Sequence, residues 1–353
     1  MPDGLYLRPL GLLYGATARA AIEAGKAGSL AGSGIAFSQT EVITGAAGAA
    51  KREFRSFQDV EQSNDEAIAR VMERLVAPRP TIAGLSLEAP RLMGVVNVTP
   101  DSFSDGGLYN EADQAIARAA ELALNGADIV DIGGESTRPS ASPLEPREEI
   151  RRVLPVIKGL AGGRARLSID TRKALVMKVA CEAGAQILND VSALTYDKDS
   201  LAVAAATNLP IVLMHSRGDP KTMQKDPVYA DVLLEVYDYL ADRIAACEGA
   251  GITRARLIAD PGIGFGKTLA HNLALISGLS LFHGLGVPIL LGASRKSFIG
   301  ALTQQADPRE REPGSLAAAL AGATQGAQIL RVHNVASTVQ ALRVWRSVVS
   351  GTP

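Results

Sequence analysis

The sequence predicts a (β/α)8 (TIM) barrel, a closed sheet of eight parallel strands surrounded by helices, with an N-terminal extension before it. From residue 91 onward, short apolar runs alternate with Ala- and Leu-rich segments of helical character. The runs are apolar throughout, as expected of parallel strands that are covered on both faces. Eight repeats within about 240 residues favour closure into a barrel over the alternative, a doubly wound open sheet.

Each predicted strand ends at a polar residue or a glycine. The helix after the first strand illustrates the segments between them: Asn110 is its predicted N-cap, Ile116 and Leu122 belong to its apolar face, and Gly126 follows its end. The predicted strands are residues 92–97, 129–133, 167–170, 186–189, 211–215, 257–260, 289–292 and 329–332.

Composition indicates a globular enzyme or binding protein without nucleic-acid or membrane partners. The chain has 353 residues, 47% of them hydrophobic, and can bury a sizeable core, whereas a net charge of -1 provides no basic surface. No apolar run reaches the ~20 residues of a membrane helix and the N-terminus lacks a signal-peptide pattern, so we expect a cytoplasmic protein. Cys181 and Cys247 lack metal or redox spacing, which predicts buried, reduced thiols.

Residues 1–90 differ from the rest of the chain. They contain Gly-, Ala- and Ser-rich runs and one clear helix over residues 64–76, with Ser63 or Asn64 as its cap and an apolar face that includes Ile68. We therefore predict a partly helical extension of unknown role, followed by a barrel domain of residues 91–353.

Polar side chains follow several predicted strands, at the end where barrels of this kind carry their active sites. Asp170, Asn189 and Asp260 end the third, fourth and sixth strands. Two carboxylates and a carboxamide around one opening suit the hydrogen-bonding edge of a flat heterocycle, and Lys296 is placed to reach that ring from the opposite side. The alternative is that each group caps a helix or holds its own loop, which we favour for Asp190.

Donors for phosphate follow the last two strands. Ser294 and Arg295 come after the seventh strand, and Arg331 and His333 after the eighth, where barrels of this type commonly hold phosphate. Asn97, at the end of the first strand, adds a neutral oxygen suited to a Mg²⁺ ion that bridges a diphosphate.

The other histidines carry less information. His215 is either another donor or a structural histidine at a strand end, and the pattern does not decide between them. His271 and His283 lie in a helical region and are expected to be structural. Without an HxxxH motif, a zinc site is not expected.

The segment DPGIGFGKT, which begins at Asp260, is not a nucleotide motif. Pro261 occupies the place of the first glycine of a P-loop, and the GxGxG spacing does not match a dinucleotide fingerprint. The glycines instead allow backbone to approach a planar ligand, with Phe265 as an apolar surface beside it.

Two loops are expected to close over the ligand. Residues 98–107 and 134–143 are rich in Gly, Ser, Thr and Pro. Asp105 and Arg138 on these loops bring opposite charges to a reacting centre; an isolated surface ion pair is the alternative.

With these motifs in order, each at a strand end, the sequence resembles the dihydropteroate synthase family over residues 91–348. The motifs are NVTPDSFSDGG, DIGGESTRP, SIDT, ILND, LMH, DPGIGFGK, SRKS and RVH. The resemblance implies a barrel that joins p-aminobenzoate to 6-hydroxymethyl-7,8-dihydropterin diphosphate with release of diphosphate. It also implies Mg²⁺ as cofactor, inhibition by sulfonamides and a homodimer, for which Leu342, Val344 and Val348 near the C-terminus are candidates.

The resemblance also implies roles for individual residues. Diphosphate would leave first, and Asp105 would stabilise the resulting pterin methylene cation until the arylamine attacks. The implied residues are Asp105, Arg138 and Lys296 for catalysis, Asp170, Asn189, Asp260, Lys296 and Phe265 for the pterin, Asn97, Thr137, Arg331 and His333 for diphosphate, with Asn97 also a Mg²⁺ ligand, and Phe103, Arg138, Phe265 and Ser297 for p-aminobenzoate.

Three features depart from the family pattern. Asn334 follows RVH where Asp is common, Ser140 follows TRP where Gly is common, and the 90-residue extension exceeds the usual N-terminal segment. Two other functions stay open: a methyltetrahydrofolate-binding methyltransferase module, which should not need the two loops or a diphosphate site, and a non-catalytic pterin-binding paralogue, which should lack a core ligand.

Overall fold

The computed structural model describes residues 4–98, 108–135, 144–218 and 226–352. Predictions for several residues on the first two barrel loops therefore lie outside the described part of the chain and stay predictions. These residues are Phe103, Asp105, Thr137, Arg138 and Ser140.

The chain begins with a module built on an antiparallel sheet, which the sequence did not predict. The central strand pairs with the first strand along one edge and with the two short strands along the other. The elements of the module are β1 (Leu5–Leu13), α1 (Gly15–Glu23), β2 (Gly28–Ser29), β3 (Ala36–Thr44), β4 (Lys51–Ser56), α2 (Phe57–Glu61) and α3 (Glu66–Val76).

Helix α3 is the helix predicted in this region, but its cap differs. The side chain of Asp65 accepts hydrogen bonds from the backbone N–H groups of Ala67 and Ile68, so Asp65 is the N-cap instead of Ser63 or Asn64. The predicted apolar face is buried against the sheet.

The predicted barrel is confirmed. Eight parallel strands follow one another around the sheet, and a parallel bridge between Ala259 and Ile289 joins the two ends, which excludes the open sheet. The strands are β5 (Arg91–Asn97), β6 (Ile129–Gly133), β7 (Arg166–Asp170), β8 (Ile187–Asp190), β9 (Ile211–Met214), β10 (Leu257–Asp260), β11 (Leu290–Leu291) and β12 (Ile329–Val332).

Helices cover the outside of the barrel. The first of them begins at Leu108 and includes Asn110, so the predicted cap at Asn110 is wrong. The helices are α4 (Leu108–Leu124), α5 (Pro146–Leu160), α6 (Ala174–Ala183), α7 (Ser200–Ala206), α8 (Val232–Gly249), α9 (Leu269–Ser277), α10 (Ser297–Thr303), α11 (Glu312–Thr324) and α12 (Val335–Ser350), with short 3-10 helices at Arg254–Arg256, Leu279–Leu285 and Pro308–Glu310.

The module packs against the helices on one side of the barrel. The Tyr6 hydroxyl donates to Asp238 on α8 at 2.8 Å, and the Tyr6 ring meets Tyr237 edge-on with centroids 5.3 Å apart. Near the end of the sheet, the Tyr14 hydroxyl donates to the carbonyl of Thr324 at 2.6 Å. Polar and aromatic contacts therefore join residues of the extension to several barrel helices.

Residues 82–87 close the amino-terminal end of the barrel. Ile82 and Leu85 exchange two backbone hydrogen bonds in a tight turn. Ile82 is fully buried and lies in one hydrophobic cluster with side chains of seven barrel strands. This segment thus completes the core that the strands enclose.

Ile82→Ala should destabilise the fold by about 2–5 kcal/mol, since it removes a fully buried side chain from the cluster inside the barrel. Urea denaturation followed by circular dichroism measures the change. Leu124→Ala is the control, because Leu124 is 78% exposed and its truncation should change stability by roughly 0.5 kcal/mol or less. Equal midpoints for the two variants would contradict the role of Ile82 as part of the core.

Both cysteines are free thiols; Cys247 is buried and Cys181 is half-buried.

Within the described residues, no helix combines the length and the apolar character needed to cross a membrane.

Candidate active site

Five of the polar residues predicted at or just after strand ends, Asp170, Asn189, Asp260, Lys296 and Arg331, line one pocket at the carboxyl ends of the barrel strands. Parallel pairing places Gly133 beside Asp170 and Asp170 beside Asn189, so the ends of β6, β7 and β8 are level. The pocket is lined by Asp170, Asn189, Val191, Met214, Asp260, Ile263, Phe265, Gly292, Lys296 and Arg331.

Arg331 and three neighbours form the floor of the site. Its Nε donates to Asp131 Oδ2 at 2.7 Å and its Nη2 donates to Asp170 Oδ2 at 2.8 Å. Asn189 Nδ2 donates to the same oxygen of Asp131 at 3.0 Å. Arg331 thus neutralises two carboxylates and, with Asn189, fixes their orientation.

Asp131 is a site residue that the sequence reasoning missed. Its side chain is fully buried inside β6, and its Oδ1 has no hydrogen-bond partner among the described residues. The signal was an acidic residue within a predicted strand that is otherwise apolar, at the first position of the DIGGESTRP motif. A carboxylate in a buried strand needs a partner, and Arg331 supplies it.

Burial raises the pKa values of the two strand-end carboxylates, Asp170 and Asp260. Burial raises the pKa of Asp170 to about 7, although the Arg331 charge acts in the opposite direction. Burial also raises the pKa of Asp260, and the hydrogen bond from the N–H of Gly262 to its Oδ1, at 2.7 Å, opposes that shift. Desolvated carboxylates of this kind are typical of binding and catalytic sites.

Asp190 holds its own loop, as predicted. Its Oδ1 accepts hydrogen bonds from the N–H of Ser192 at 2.7 Å and the hydroxyl of Ser192 at 2.6 Å, and its Oδ2 accepts one from the N–H of Leu194 at 3.0 Å.

Lys267 is a second residue that the sequence reasoning missed. Its Nζ donates to the carbonyls of Gly262 and Phe265, each at 2.9 Å, and lies 2.9 Å from His215 Nδ1. Burial lowers the pKa of Lys267 to about 7. The lysine of GFGK was considered only as part of a P-loop, whereas here it holds the curve of the glycine-rich loop.

His215 is structural, which decides between the two open interpretations. It is buried against Lys267, and burial followed by the Lys267 charge lowers the pKa of its imidazole, which stays neutral. Its backbone carbonyl occupies the place where a side chain on Gly262 would project. Since Gly262 also has a positive φ of 69°, only glycine fits there without strain.

Lys296 and Phe265 line the same pocket as the two carboxylates. The Lys296 ammonium lies 4.1 Å from the centre of the Phe265 ring. Burial and then the Arg331 charge lower the pKa of Lys296 to about 8. The pocket thus combines a cation over an aromatic ring with carboxylate acceptors.

Asn97 lies beside Asp170 of this floor, and His333 follows the strand that carries Arg331. A Cβ on Gly133 would be 3.8 Å from Asn97 Oδ1 and 3.7 Å from Asp170 Oδ2, so these two oxygens face the same space. His333 Nδ1 lies 3.0 Å from the hydroxyl of Ser294, which links the seventh and eighth strand ends.

Ser297 and Asn334 lie at the starts of two barrel helices. Ser297 is the exposed first residue of α10. Asn334 is the N-cap of α12, and its side chain accepts from the N–H of Ser337 at 3.1 Å. Because Asn and Asp cap helices about equally well, the departure at Asn334 preserves the local structure.

The barrel and its pocket define a class of protein: a barrel enzyme whose pocket gathers two carboxylates, a carboxamide and a lysine near the carboxyl ends of the strands. The family described as pterin binding enzyme matches residues 93–333. The chain is 47% identical over 267 residues to dihydropteroate synthase of Escherichia coli (strain K12), covering 75% of this chain and 94% of that protein. It is 49% identical over 269 residues to the protein of that name from Neisseria meningitidis serogroup B, with the same coverage.

Solved structures agree with these matches. Dihydropteroate synthase of Xanthomonas albilineans with 4-aminobenzoic acid has a TM-score of 0.72 and 49% identity, covering 77% of this chain and 98% of that one. The same enzyme in complex with 7,8-dihydropteroate has a TM-score of 0.70 and 47% identity, with the same coverage. The chain belongs to the dihydropteroate synthase family of pterin-binding enzymes.

Proposed function

We propose that the chain condenses 6-hydroxymethyl-7,8-dihydropterin diphosphate with p-aminobenzoate to give 7,8-dihydropteroate and diphosphate, a step of folate biosynthesis. The observation that carries this proposal is the arrangement of Asp170, Asn189, Asp260 and Lys296 around one pocket. It is supported by relatives solved with 4-aminobenzoic acid, with 7,8-dihydropteroate and, for the Yersinia pestis enzyme, with a sulfonamide drug.

In this proposal the pterin ring lies in the pocket with its N–H edge toward Asp260. One oxygen of Asp260 is used by Gly262, while Gly292 leaves space beside the other oxygen, since a Cβ there would lie 3.9 Å from Oδ2. Asp170 and Asn189 contact further ring heteroatoms from the floor. Lys296 donates to an acceptor on the opposite edge, above Phe265.

Asn97, Thr137, Arg331 and His333 are proposed to hold the diphosphate. Arg331 uses two of its five donors on carboxylates, and we assign to the anion the three donors that bind no acceptor among the described residues. Thr137 lies outside the described residues and rests on the motif alone.

Mg²⁺ fits this site as a companion of the diphosphate. Among the described residues, no group of three or more His, Cys, Asp or Glu side chains could enclose a metal. Asn97 Oδ1 and Asp170 Oδ2 both lie near Gly133, and Mg²⁺ typically takes one or two protein oxygens and completes its shell with water and substrate phosphates. When bound, the ion would neutralise charge on the leaving diphosphate.

The chain's own residues then act at the methylene carbon. Asp105 stabilises the positive charge that develops there as the bond to diphosphate breaks, and Lys296 and Arg138 hold the ring and the second substrate. Phe103, Arg138, Phe265 and Ser297 surround the p-aminobenzoate, whose amine attacks the cation and loses a proton. The roles of Asp105, Arg138 and Phe103 rest on the motifs, because these residues lie outside the described part of the chain.

A homodimer in the cytoplasm is also proposed. Val344 and Val348 on α12 are 65% and 74% exposed and lie on the same face of the helix, four residues apart. Leu342 is buried and does not belong to such a surface.

The test is a direct assay of dihydropteroate formation from the two substrates, with and without Mg²⁺ and a sulfonamide. We expect product only when both substrates are present, a loss of rate with chelator, and sulfonamide inhibition that p-aminobenzoate relieves. Methyl transfer from methyltetrahydrofolate to a corrinoid without dihydropteroate would favour the methyltransferase. Pterin binding without either reaction would favour a non-catalytic paralogue.

The depressed pKa of Lys296 predicts how substrate binding depends on pH. Below about pH 8 the Lys296 amine is charged in the free protein. Above pH 8 the amine is largely neutral, so it must take up a proton when the anionic substrate binds. Affinity for the pterin diphosphate should therefore fall above pH 8, by at most about tenfold per pH unit.

Calorimetric titration at pH 7, 8 and 9 measures this effect. Lys296→Met serves as the control, because it keeps every other titrating group, including those of the ligand. The parent should lose more affinity between pH 8 and 9 than the variant does. Identical pH profiles would show that Lys296 does not titrate on binding.

A further inference from the structure

The hairpin between β3 and β4 brings the N-terminal module to the active-site end of the barrel. A Cβ built on Gly48 in this hairpin would lie 3.1 Å from the Cβ of Ala230. On β4, Arg52 Nη2 donates to Asp231 Oδ2 at 2.6 Å. Ala230 and Asp231 directly precede α8, which follows β9, so they lie at the end of the barrel toward which the strands run.

Asp231 is held from two directions. Its Oδ1 caps α8 by accepting hydrogen bonds from the N–H groups of Leu233 at 3.0 Å and Leu234 at 3.2 Å, while its Oδ2 accepts the bond from Arg52. Arg52 is oriented in turn by Glu41, at 3.1 Å, whose side chain is 6% exposed. The start of α8 is therefore tied to a buried carboxylate of the module.

Tyr229 connects this point to the glycine-rich loop of the pocket. Its hydroxyl donates to the carbonyl of Gly266 at 2.9 Å. The Arg217 guanidinium lies over the Tyr229 ring, 4.7 Å from its centre, and donates to the carbonyl of Val228 at 2.8 Å. Gly266 follows Phe265 directly, so the position of Tyr229 affects the backbone that carries the aromatic wall of the pocket.

We propose that the N-terminal module is a positioning element for the pterin pocket. Arg52 holds Asp231 through their ion pair, and Tyr229, two residues before Asp231, passes this restraint to the loop that bears Phe265. The inference rests on the proposed function and assigns to residues of the extension a role that no motif in the sequence indicated. Arg52 and Tyr229 act through the loop and do not touch the reacting atoms.

Because coupling between two sites is reciprocal, loss of the contact between Arg52 and Asp231 should change the affinity of the pocket for pterin. Ligand binding alone therefore tests the proposal. Arg52→Ala and Asp231→Asn both break the ion pair, and asparagine still caps α8. We expect each variant of the full chain to bind 6-hydroxymethyl-7,8-dihydropterin diphosphate, without p-aminobenzoate, roughly fivefold more weakly than the parent, the lower end of typical site-to-site coupling. The double variant should be no weaker than either single variant, because both remove the same interaction.

Two controls separate positioning from stability. Arg55→Ala removes the same charge from the same strand, but Arg55 pairs with Glu53 within the module. The Arg55→Ala variant should therefore bind the pterin as tightly as the parent does. Tyr14→Phe removes a docking bond to Thr324, and any loss of melting temperature should leave pterin affinity unchanged.

Three outcomes decide the proposal. Weaker binding by Arg52→Ala and Asp231→Asn, with melting temperatures equal to that of Arg55→Ala, supports it. Equal affinities for Arg52→Ala and Arg55→Ala overturn it, and so does a loss of affinity that Tyr14→Phe reproduces. A parent chain that binds no pterin would instead overturn the proposed function.

Discussion

Asp260→Ala will weaken binding of the pterin substrate by roughly 10²–10³-fold. Asp260 is 5% exposed at the end of β10, with one oxygen engaged by the loop and the other facing the pocket. Two hydrogen bonds from the ring to a carboxylate contribute about 3–6 kcal/mol, at about 1.5–3 kcal/mol each, and the lower part of this range corresponds to the expected loss of affinity. Calorimetry with the pterin substrate measures the loss.

The matched control is Asp190→Asn, which changes another buried strand-end carboxylate. Asp190 bonds to Ser192 and Leu194 within its own loop, so its substitution should lower the melting temperature while leaving the affinity for pterin close to that of the parent. Similar affinities for Asp260→Ala and the parent would show that the ring does not bind along this edge.

Arg331→Met will both destabilise the protein and abolish most of its activity. The substitution leaves Asp131, which is fully buried, and Asp170, whose side chain is 11% exposed, without their common cation. Breaking a buried ion pair from one side costs about 3–5 kcal/mol. Urea denaturation reports the loss of stability, and diphosphate release reports the loss of turnover.

The double variant Asp131→Asn, Arg331→Met tests the cause. Because it removes a buried charge together with the cation, it should be more stable than Arg331→Met alone, while activity stays low because the proposed diphosphate donor is gone. If the double variant is less stable than the single variant by the full cost of Asp131→Asn, the two side chains do not compensate each other.

The sequence predicted the barrel and the polar strand ends because both depend on local pattern. Apolar runs that end in Asp or Asn indicate both a buried parallel strand and its carboxyl end, where barrels carry their active sites, and Asp170, Asn189 and Asp260 do lie around one pocket. The sequence pattern does not identify the capping residue of a helix when several candidates are adjacent. Ser63, Asn64 and Asp65 are adjacent and all able to cap, and only the backbone geometry selects Asp65.

What the sequence could not reveal depends on contacts between distant residues. Asp131 and Arg331 lie 200 positions apart, and the need for their pairing appears only when β6 and β12 flank the first barrel strand. The same holds for Lys267, whose bond to His215 decides the role of that histidine. The antiparallel sheet of the module was missed because its strands are interrupted by glycine and charged residues, and its stability comes from packing on α3 and the barrel.

The most direct test of this account is a crystal structure of the full chain with 6-hydroxymethyl-7,8-dihydropterin bound. We predict the ring between Phe265 and the strand-end carboxylates, with its N–H edge on Asp260 and Lys296 within hydrogen-bonding distance of the opposite edge. A ring bound elsewhere, or bound in this pocket without contact to Asp260 and Asn189, would contradict the assignment of the strand ends as the pterin site.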